Sequence, residues 1–168
     1  MNMPGSGVVV SQWPKEGRRV LREVLEDSFE GWYLYHSERK LMESEIVLVA
    51  SQGNLPVGLS TLELLDRETG YVFYLAVRKA FRRQGIGSIL LDKALAFFSA
   101  RGCARIFAAV EEDNVPSKKL FESKGFSKID YGAMSKLFGR LRAVGMYRRM
   151  VVVPGENLMI KPLVQEKH

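Results

Sequence analysis

The spacing of apolar residues changes several times along the chain, and each change predicts an element of secondary structure. Apolar residues that run together or alternate with polar ones predict strands over residues 8–12, 46–50, 57–65, 71–77, 105–110, 126–131 and 146–153. Apolar residues at helical spacing predict helices after Pro14, over 32–42, from 86 to about 102, over 116–124 and over 133–144. The turn sequences at Gln52-Gly53-Asn54 and at 66–70 join three strands as consecutive hairpins.

The order of these elements indicates one α/β domain of the α+β kind. We expect a single mixed, mostly antiparallel sheet of six to seven strands, flanked by helices. A chain of 168 residues suits one domain with one hydrophobic core. We therefore predict a flexible N-terminal lead over residues 1–7, the folded domain over 8–153 and a C-terminal tail over 154–168.

Composition argues against several classes of protein. Apolar residues make up 46% of the chain and charged residues 26%, which is typical of a soluble globular protein. No apolar run reaches the roughly 18 residues of a membrane span, and the first residues lack the pattern of a secretory signal. We therefore expect a cytoplasmic location and no membrane partner. The single cysteine, Cys103, permits no internal disulfide, and His36 and His168 are too few and too far apart for a metal centre, so no metal is expected.

The chain has a net charge of +6, and the positive surplus lies in its later part. Nine lysines and arginines stand against two acids between residues 118 and 149, whereas residues 23–45 are mainly acidic. A positive surface attracts anionic partners, either a phosphate-rich cofactor or nucleic acid. No motif in the sequence reads or stacks bases, which argues against nucleic acid. A solvated charged surface is the simpler interpretation of both runs.

The most informative stretch joins the strand at 71–77 to the helix that begins near Ile86. It contains Arg82-Arg83-Gln84-Gly85-Ile86-Gly87, a glycine-punctuated loop at a helix N-terminus. Such a loop directs free backbone N–H groups and the positive end of the helix dipole at one point, which suits a diphosphate. The two glycines let a phosphate approach the backbone, and the arginines add charge.

Two other phosphate-binding motifs do not fit this loop. A P-loop requires a Gly-Lys-Ser/Thr ending, which is absent, and a dinucleotide fingerprint requires a third glycine where this chain has Leu90. Taken alone, the loop could also be a tight turn whose glycines serve geometry only.

A second motif begins about thirty residues later, at Asn114. The chain resembles the GNAT superfamily of acyl-CoA-dependent N-acetyltransferases at both motifs. The first family signature matches Arg82, Gly85 and Gly87. The second matches Asn114, Ser117, Leu120, Phe121, Gly125 and Phe126. The resemblance covers residues 46–131 well and the remainder only by strand order.

This resemblance implies a cofactor and the residues that bind it. Acetyl-CoA would be the co-substrate, with its pantetheine arm lying between the splayed fourth and fifth strands. The Val77 N–H would polarise the thioester carbonyl. The implied cofactor-binding residues are Leu75, Ala76 and Val77 for pantetheine, Arg82, Arg83, Gln84, Gly85, Ile86, Gly87 and Ser88 for the diphosphate, and Asn114, Ser117 and Phe121 near the thiol end.

The groups that move protons depart from the family pattern. Many relatives have a tyrosine acid where this chain has Phe121, and some have a glutamate base where it has Ala109. Because strand side chains alternate, Glu111 should face the same side as Ala109 and is the first candidate base; Tyr74 is the second. Cys103 follows a helix end, so we reject it as a nucleophile.

The acceptor region is implied only by analogy with the family. It would involve the first two helices and the last hairpin, and the aromatic residues and acids of those helices suit a cationic amine. Packing of those aromatics on the sheet is the alternative, and His36 receives no role. The apolar stripe at 133–144 could cover the acceptor site or form a homodimer. The function expected is transfer of acetyl from acetyl-CoA to a primary amine of a small molecule or peptide; the alternative is a non-catalytic acyl-CoA sensor, which Phe121 and Ala109 favour.

Overall fold

The fold, seen in a computed structural model, is described for residues 7–163. Its strands are β1 (Val8–Gln12), β2 (Ile46–Gln52), β3 (Leu55–Asp66), β4 (Thr69–Val77), β5 (Arg105–Glu111), β6 (Ser127–Lys128) and β7 (Glu156–Pro162). Its α-helices are α1 (Arg22–Glu26), α2 (Gly31–Glu43), α3 (Ile86–Ala100), α4 (Val115–Ser123), α5 (Tyr131–Phe138) and α6 (Arg140–Met150). Two short 3₁₀ turns lie at Arg18–Leu21 and Lys79–Phe81.

The strands form one mixed seven-stranded sheet in the order β1-β2-β3-β4-β5-β7-β6, flanked by helices. This confirms the predicted fold class. The chain divides into two compact units, which we call the first unit (Met1–Glu63 and Val72–Phe97) and the second unit (Leu64–Tyr71 and Phe98–His168). No helix within residues 7–163 is long and apolar enough to cross a membrane.

The core of the first unit lies between α1, α2 and one face of its strands. β1 pairs antiparallel with β2, and β2 with β3, with a register shift between Ala50 and Ser51. The buried cluster takes residues from the first 3₁₀ turn, both helices and three strands: Leu21, Val24, Leu25, Leu41, Val47, Val49, Leu59 and Ala76. Since Ala76 belongs to this cluster, the face of β4 that carries it looks toward α1 and α2.

A buried arginine joins the start of this unit to the end of α2. Arg18 is only 1% exposed. Its Nη1 donates to the carbonyl oxygens of Leu41 at 2.9 Å and Ser44 at 2.6 Å. These carbonyls would otherwise be left without partners at a helix C-terminus. Burial lowers the pKa of the guanidinium from its ordinary value.

The second unit is held by β5, β7 and β6, which pair antiparallel in that order. Tyr71 donates from its hydroxyl to the Met150 carbonyl at 2.9 Å. The backbone of Gly70 lies against the Phe98 ring, so a Cβ at residue 70 would collide with that ring. Cys103 is 1% exposed, and burial, followed by the charge of Asp66, raises the pKa of its thiol.

The end of the chain corrects the sequence interpretation. The helix predicted over 133–144 is two helices, which separate at Gly139 (φ 82°). The strand predicted over 146–153 is wrong, because α6 continues to Met150 and buries Ala143, Met146 and Met150 at helical spacing. The last strand is β7, which lies in the segment 154–168 assigned to a tail. The N-terminal lead, apart from Gly7, and residues 164–168 lie outside the described residues.

Two further expectations about this region are also revised. The apolar stripe expected on one helix does not share one face, since Met134 is buried whereas Leu141 is 91% exposed. The strand predicted over 126–131 is reduced to the two residues of β6. It ends early because Asp130 caps α5, its side chain accepting from the Ala133 N–H at 2.8 Å.

Candidate functional site

The residues from 82 to 88, here called the phosphate loop, connect the 3₁₀ turn after β4 to α3. Arg83 (φ 60°) and Gly85 (φ 78°) both have left-handed backbone, which reverses the chain just before the helix begins at Ile86. A Cβ at Gly85 would meet no atom within 4 Å. The glycine therefore provides the required φ angle and leaves open space in front of the loop.

The backbone N–H groups at the start of α3 are available as donors. The first hydrogen bond of the helix runs from the Ile89 N–H to the Gly85 carbonyl at 3.0 Å. Within the part of the chain that the structure describes, the N–H groups of residues 85–88 have no hydrogen-bond partner. A cluster of unpaired N–H donors at a helix N-terminus is a physical basis for anion binding.

Side chains hold the approach to this loop in place. The Arg82 Nε donates to the Val77 carbonyl at 3.0 Å, and the Lys79 N–H donates to Asp27 Oδ2 at 2.5 Å. The Arg78 guanidinium pairs with Glu23 at 2.7 Å. Arg82 therefore supports the end of β4 in this structure, while the exposed Arg83 has no partner among the described residues.

The predicted pantetheine segment, Leu75 to Val77, forms the end of β4. Ala76 is buried in the core, whereas Leu75 and Val77 are partly exposed. This alternation places the side chains of Leu75 and Val77 on the opposite face from Ala76 and Tyr74.

The second motif forms the beginning of α4 in the second unit. The Asn114 Oδ1 accepts a hydrogen bond from the Ser117 N–H at 3.2 Å, and Pro116 occupies the first turn. Asn114 is thus the N-cap of α4, a role that leaves its side-chain NH₂ group free to donate. Phe121 is buried and packs edge-to-face against Phe126, with 5.1 Å between ring centroids.

Glu111, the first candidate base, is the last residue of β5. Burial along β5 alternates at this end, with Ala109 and Glu111 half-buried and Val110 buried, as expected for two residues on one face. Glu111 lies opposite Glu156 in the antiparallel register. The Glu156 carboxylate accepts from the Val153 N–H at 3.0 Å.

Tyr74, the second candidate base, has a partner that the sequence did not reveal. Its hydroxyl lies 2.7 Å from His36 Nδ1. Phe29 and Phe73 lie close to the Tyr74 ring, and Trp32 stacks on His36 with 4.9 Å between centroids. We call Phe29, Trp32, His36, Phe73 and Tyr74 the aromatic cluster.

Burial, and then the charges of Lys40 and Arg39, lower the pKa of His36 below its ordinary value of 6.5. The imidazole is therefore neutral at pH 7 and carries a lone pair.

Within the described part of the chain, no group of three His, Cys, Asp or Glu side chains could hold a metal ion.

Comparison with known proteins now places this site in a family. The sequence profile of the Acetyltransferase (GNAT) family matches residues 11–126, well over half of the chain. This chain belongs to the GNAT acetyltransferase family. The resemblance inferred from the two motifs is thereby confirmed, and the match includes the phosphate loop, the aromatic cluster and the α4 motif.

Two curated acetyltransferases share part of this GNAT sequence. Mycothiol acetyltransferase of Beutenbergia cavernae is 34% identical over 68 residues, which are 40% of this chain and 23% of that protein. An acetyltransferase of Pectobacterium atrosepticum is 28% identical over 99 residues, or 59% of this chain and 70% of that protein. The matched region thus spans less than a quarter of the mycothiol enzyme.

Solved GNAT structures share the fold over nearly the whole chain. The ribosomal-protein-S18-alanine N-acetyltransferase of Escherichia coli superposes with a TM-score of 0.71 at 15% identity, covering 95% of this chain and 96% of that one. A GNAT acetyltransferase of Elizabethkingia anophelis, solved with acetyl-CoA bound, gives a TM-score of 0.69 at 15% identity, covering 94% and 99%. At these identities the likeness establishes the fold.

In this GNAT chain, two structural features of the candidate site were not predicted from the sequence. It assigned no role to His36, and it did not recognise Asn114 as a helix cap. One signal could have indicated the first: Trp32 and His36 are four residues apart and therefore share a face of the predicted helix. The second was readable from the Asn at N-cap and the proline that follows two residues later.

Proposed function

We propose that this protein transfers an acetyl group from acetyl-CoA to a primary amine of a small molecule or peptide, by direct attack in a ternary complex. The observation that carries the proposal is the set of unpaired N–H groups at residues 85–88, in front of which a Cβ at Gly85 would meet open space. A diphosphate fits this arrangement, because its oxygens can accept from several N–H groups at the positive end of α3. Membership of the GNAT family supports the same cofactor.

The predicted cofactor residues then have separate tasks. The phosphate loop binds the diphosphate, with Arg83 adding a guanidinium that has no other partner among the described residues. The backbone of Leu75 to Val77 pairs with pantetheine, and the Val77 N–H stabilises the charge that develops on the thioester oxygen. Asn114, Ser117 and Phe121 retain the contacts near the thiol that the family resemblance implies.

The reaction forms one C–N bond and breaks one C–S bond. A protonated alkyl amine first loses a proton, and the neutral nitrogen attacks the thioester carbonyl. The electron pair of the C–S bond leaves on sulfur, and the nitrogen gives up a second proton, which ends on the thiolate. Phe121 has no proton to donate to sulfur, so the thiolate leaves without an acid at this position.

The proposed reaction requires an acceptor amine as its second substrate. We place the activity in the cytoplasm, since the co-substrate is an intracellular metabolite. Self-association through α5 and α6 and coverage of the acceptor site by them both remain predictions from the sequence.

Titration calorimetry with acetyl-CoA, together with a thiol-release assay, tests the proposed function. The acceptor panel consists of a hexapeptide with an amino-terminal alanine, spermidine and glucosamine. We expect one acetyl-CoA to bind per chain and at least one amine to release one CoA per amide formed. Binding without release for any amine would instead support the non-catalytic acyl-CoA sensor, and a chain that binds no acetyl-CoA would contradict both.

A further inference from the structure

We propose that Tyr74 and His36 act as a proton-accepting pair for the acceptor amine, with the Tyr74 hydroxyl contacting the amine and His36 receiving the proton through it. This inference rests on the proposed function and adds the group that deprotonates the substrate. The sequence motifs assign no role to His36.

The geometry of the pair suits a proton relay. The Tyr74 hydroxyl and His36 Nδ1 are 2.7 Å apart, a short hydrogen bond. With the imidazole hydrogen on Nε2, the phenol donates and Nδ1 accepts. As the phenolic oxygen takes a proton from the substrate ammonium, its own proton passes to Nδ1. The amine is left neutral, the phenol is restored, and the positive charge moves to His36.

Tyr74 also lies in the right part of the molecule. It directly precedes the segment Leu75 to Val77, which we propose pairs with pantetheine. At about 3.3 Å per strand residue, the Cα atoms of Tyr74 and Val77 are separated by about 10 Å, which a tyrosine side chain and a bound amine can bridge. Tyr74 is only 9% exposed, so bulk water does not compete strongly for its hydroxyl.

The residues around His36 keep its imidazole neutral and able to accept a proton. On its own helix, Lys40 and Arg39 lower its pKa and Glu43 raises it, but burial is the largest effect. Lys40 also pairs with Glu63 of β3 at 3.4 Å and lies over the Phe73 ring, while Arg39 pairs with Glu43. From α1, Arg22 pairs with Glu38 at 2.6 Å. No carboxylate hydrogen-bonds to the imidazole among the described residues, and burial with the two cations outweighs the charge of Glu43, so the imidazole is neutral before substrate arrives.

Burial and the neighbouring cations disfavour the imidazolium, so the accepted proton must pass to solvent before the next turnover. Glu111 lacks a comparable arrangement: among the described residues its carboxylate has no acid or base partner, and its cross-strand neighbour is another acid.

Two substitutions distinguish a role in proton transfer from a purely structural role. Tyr74→Phe removes the hydroxyl, and His36→Asn retains a hydrogen-bond acceptor near the position of Nδ1 without a titratable base. Tyr71→Phe is the matched control, since it removes a buried tyrosine hydroxyl, which donates to the Met150 carbonyl, outside all proposed site residues. We would measure the Kd for acetyl-CoA, and kcat and KM for the amine that the panel identifies, from pH 10 down to below the His36 titration midpoint.

We expect both variants to lower kcat at pH 7 by about 100-fold, the effect of losing a general base. The acetyl-CoA Kd should change by less than about twofold, because the pair is not part of the phosphate loop. The loss of kcat should shrink as the pH approaches the pKa of the acceptor amine, about 8 for a peptide α-amino group and about 10 for an alkyl amine, where the free amine needs no base. The control should match the wild type.

Four results would overturn the proposal. If His36→Asn kept the wild-type kcat at pH 7, His36 would act only as a hydrogen-bond acceptor. If Tyr74→Phe kept the wild-type kcat, Tyr74 would take no part in proton transfer. A loss that is equal at every pH would indicate a structural role. If either variant fails to fold, the wild-type profile decides alone: kcat must fall as the pH drops through the His36 titration midpoint measured by NMR, and a kcat that is unchanged across that midpoint refutes the pair. Absence of transfer to any amine by wild-type protein would be a failure of the proposed function itself.

Discussion

The carboxylate of Asp27 accepts a hydrogen bond from the backbone N–H of Lys79, with 2.5 Å between the two atoms. Asp27 follows the last residue of α1, and Lys79 begins the 3₁₀ turn that leads into the phosphate loop. Fifty-two residues of sequence separate the two. The contact therefore fixes the approach to the loop by a helix that is remote in the chain.

Asp27→Ala should weaken acetyl-CoA binding by about tenfold, equivalent to about 1.4 kcal/mol, which is typical for a lost hydrogen bond to a charged group. The affinity falls because the loop must be ordered when the cofactor binds. Calorimetry measures the Kd, with Glu16→Ala as a control that removes one exposed acid elsewhere. Equal affinities for the two variants would show that the loop is ordered without this contact.

Gly85→Glu should abolish acetyl-CoA binding, because the new carboxylate would occupy and repel the proposed diphosphate position. The substitution also strains the backbone, since Gly85 has φ 78°. Gly53→Glu is the matched control, because Gly53 has φ 59° and equally open surroundings in the β2–β3 turn. Calorimetry and thermal melting should show similar destabilisation in both variants but loss of binding in the first alone. Retained binding in Gly85→Glu would contradict the position of the site.

Arg18→Met should lower the free energy of unfolding by about 3 kcal/mol, since it leaves buried carbonyls without donors. Among those carbonyls are Leu41 and Ser44 at the end of α2. Urea unfolding measures the change. Arg22→Met is the control: Arg22 forms exposed ion pairs with Glu26 and Glu38, and its replacement should lower stability far less than that of Arg18. Similar losses would show that the Arg18 contacts contribute little.

The pKa of His36 can be measured directly by NMR, because the chain contains only two histidines. We expect its titration midpoint below 6.5, and the His36→Asn spectrum assigns the signal. A folded-state pKa below the unfolded value means that the unfolded chain binds more protons between these two pH values. The contribution of His36 to stability is therefore complete above pH 6.5 and is lost as the pH falls toward the folded pKa. A midpoint above 6.5 would reverse this sign.

The sequence was sufficient for the part of the fold that contains local signals. The change from alternating to helical spacing located β4 and α3, and Gly85 and Gly87 marked the loop between them. These features depend on residues that are close in the chain, so the pattern of one sequence reveals them.

The remaining features depend on contacts between distant residues. Met150 to Val153 resembled a strand because of its β-branched run, but Met150 completes the buried face of α6 with Ala143 and Met146. Likewise, His36 and Tyr74 are 38 residues apart, and they meet only because α2 packs across β4. No periodicity within either segment encodes that contact.

The burial of Cys103 has a practical consequence for enzymology. A disulfide dye such as dithionitrobenzoate should react with freed CoA while the native protein contributes almost no colour, because its lone sulfhydryl is inaccessible and disinclined to ionise. Denaturation exposes that sulfhydryl. The same reagent can therefore measure the rate of CoA release by the folded enzyme. Without substrate, it can measure the rate of unfolding from the exposure of Cys103.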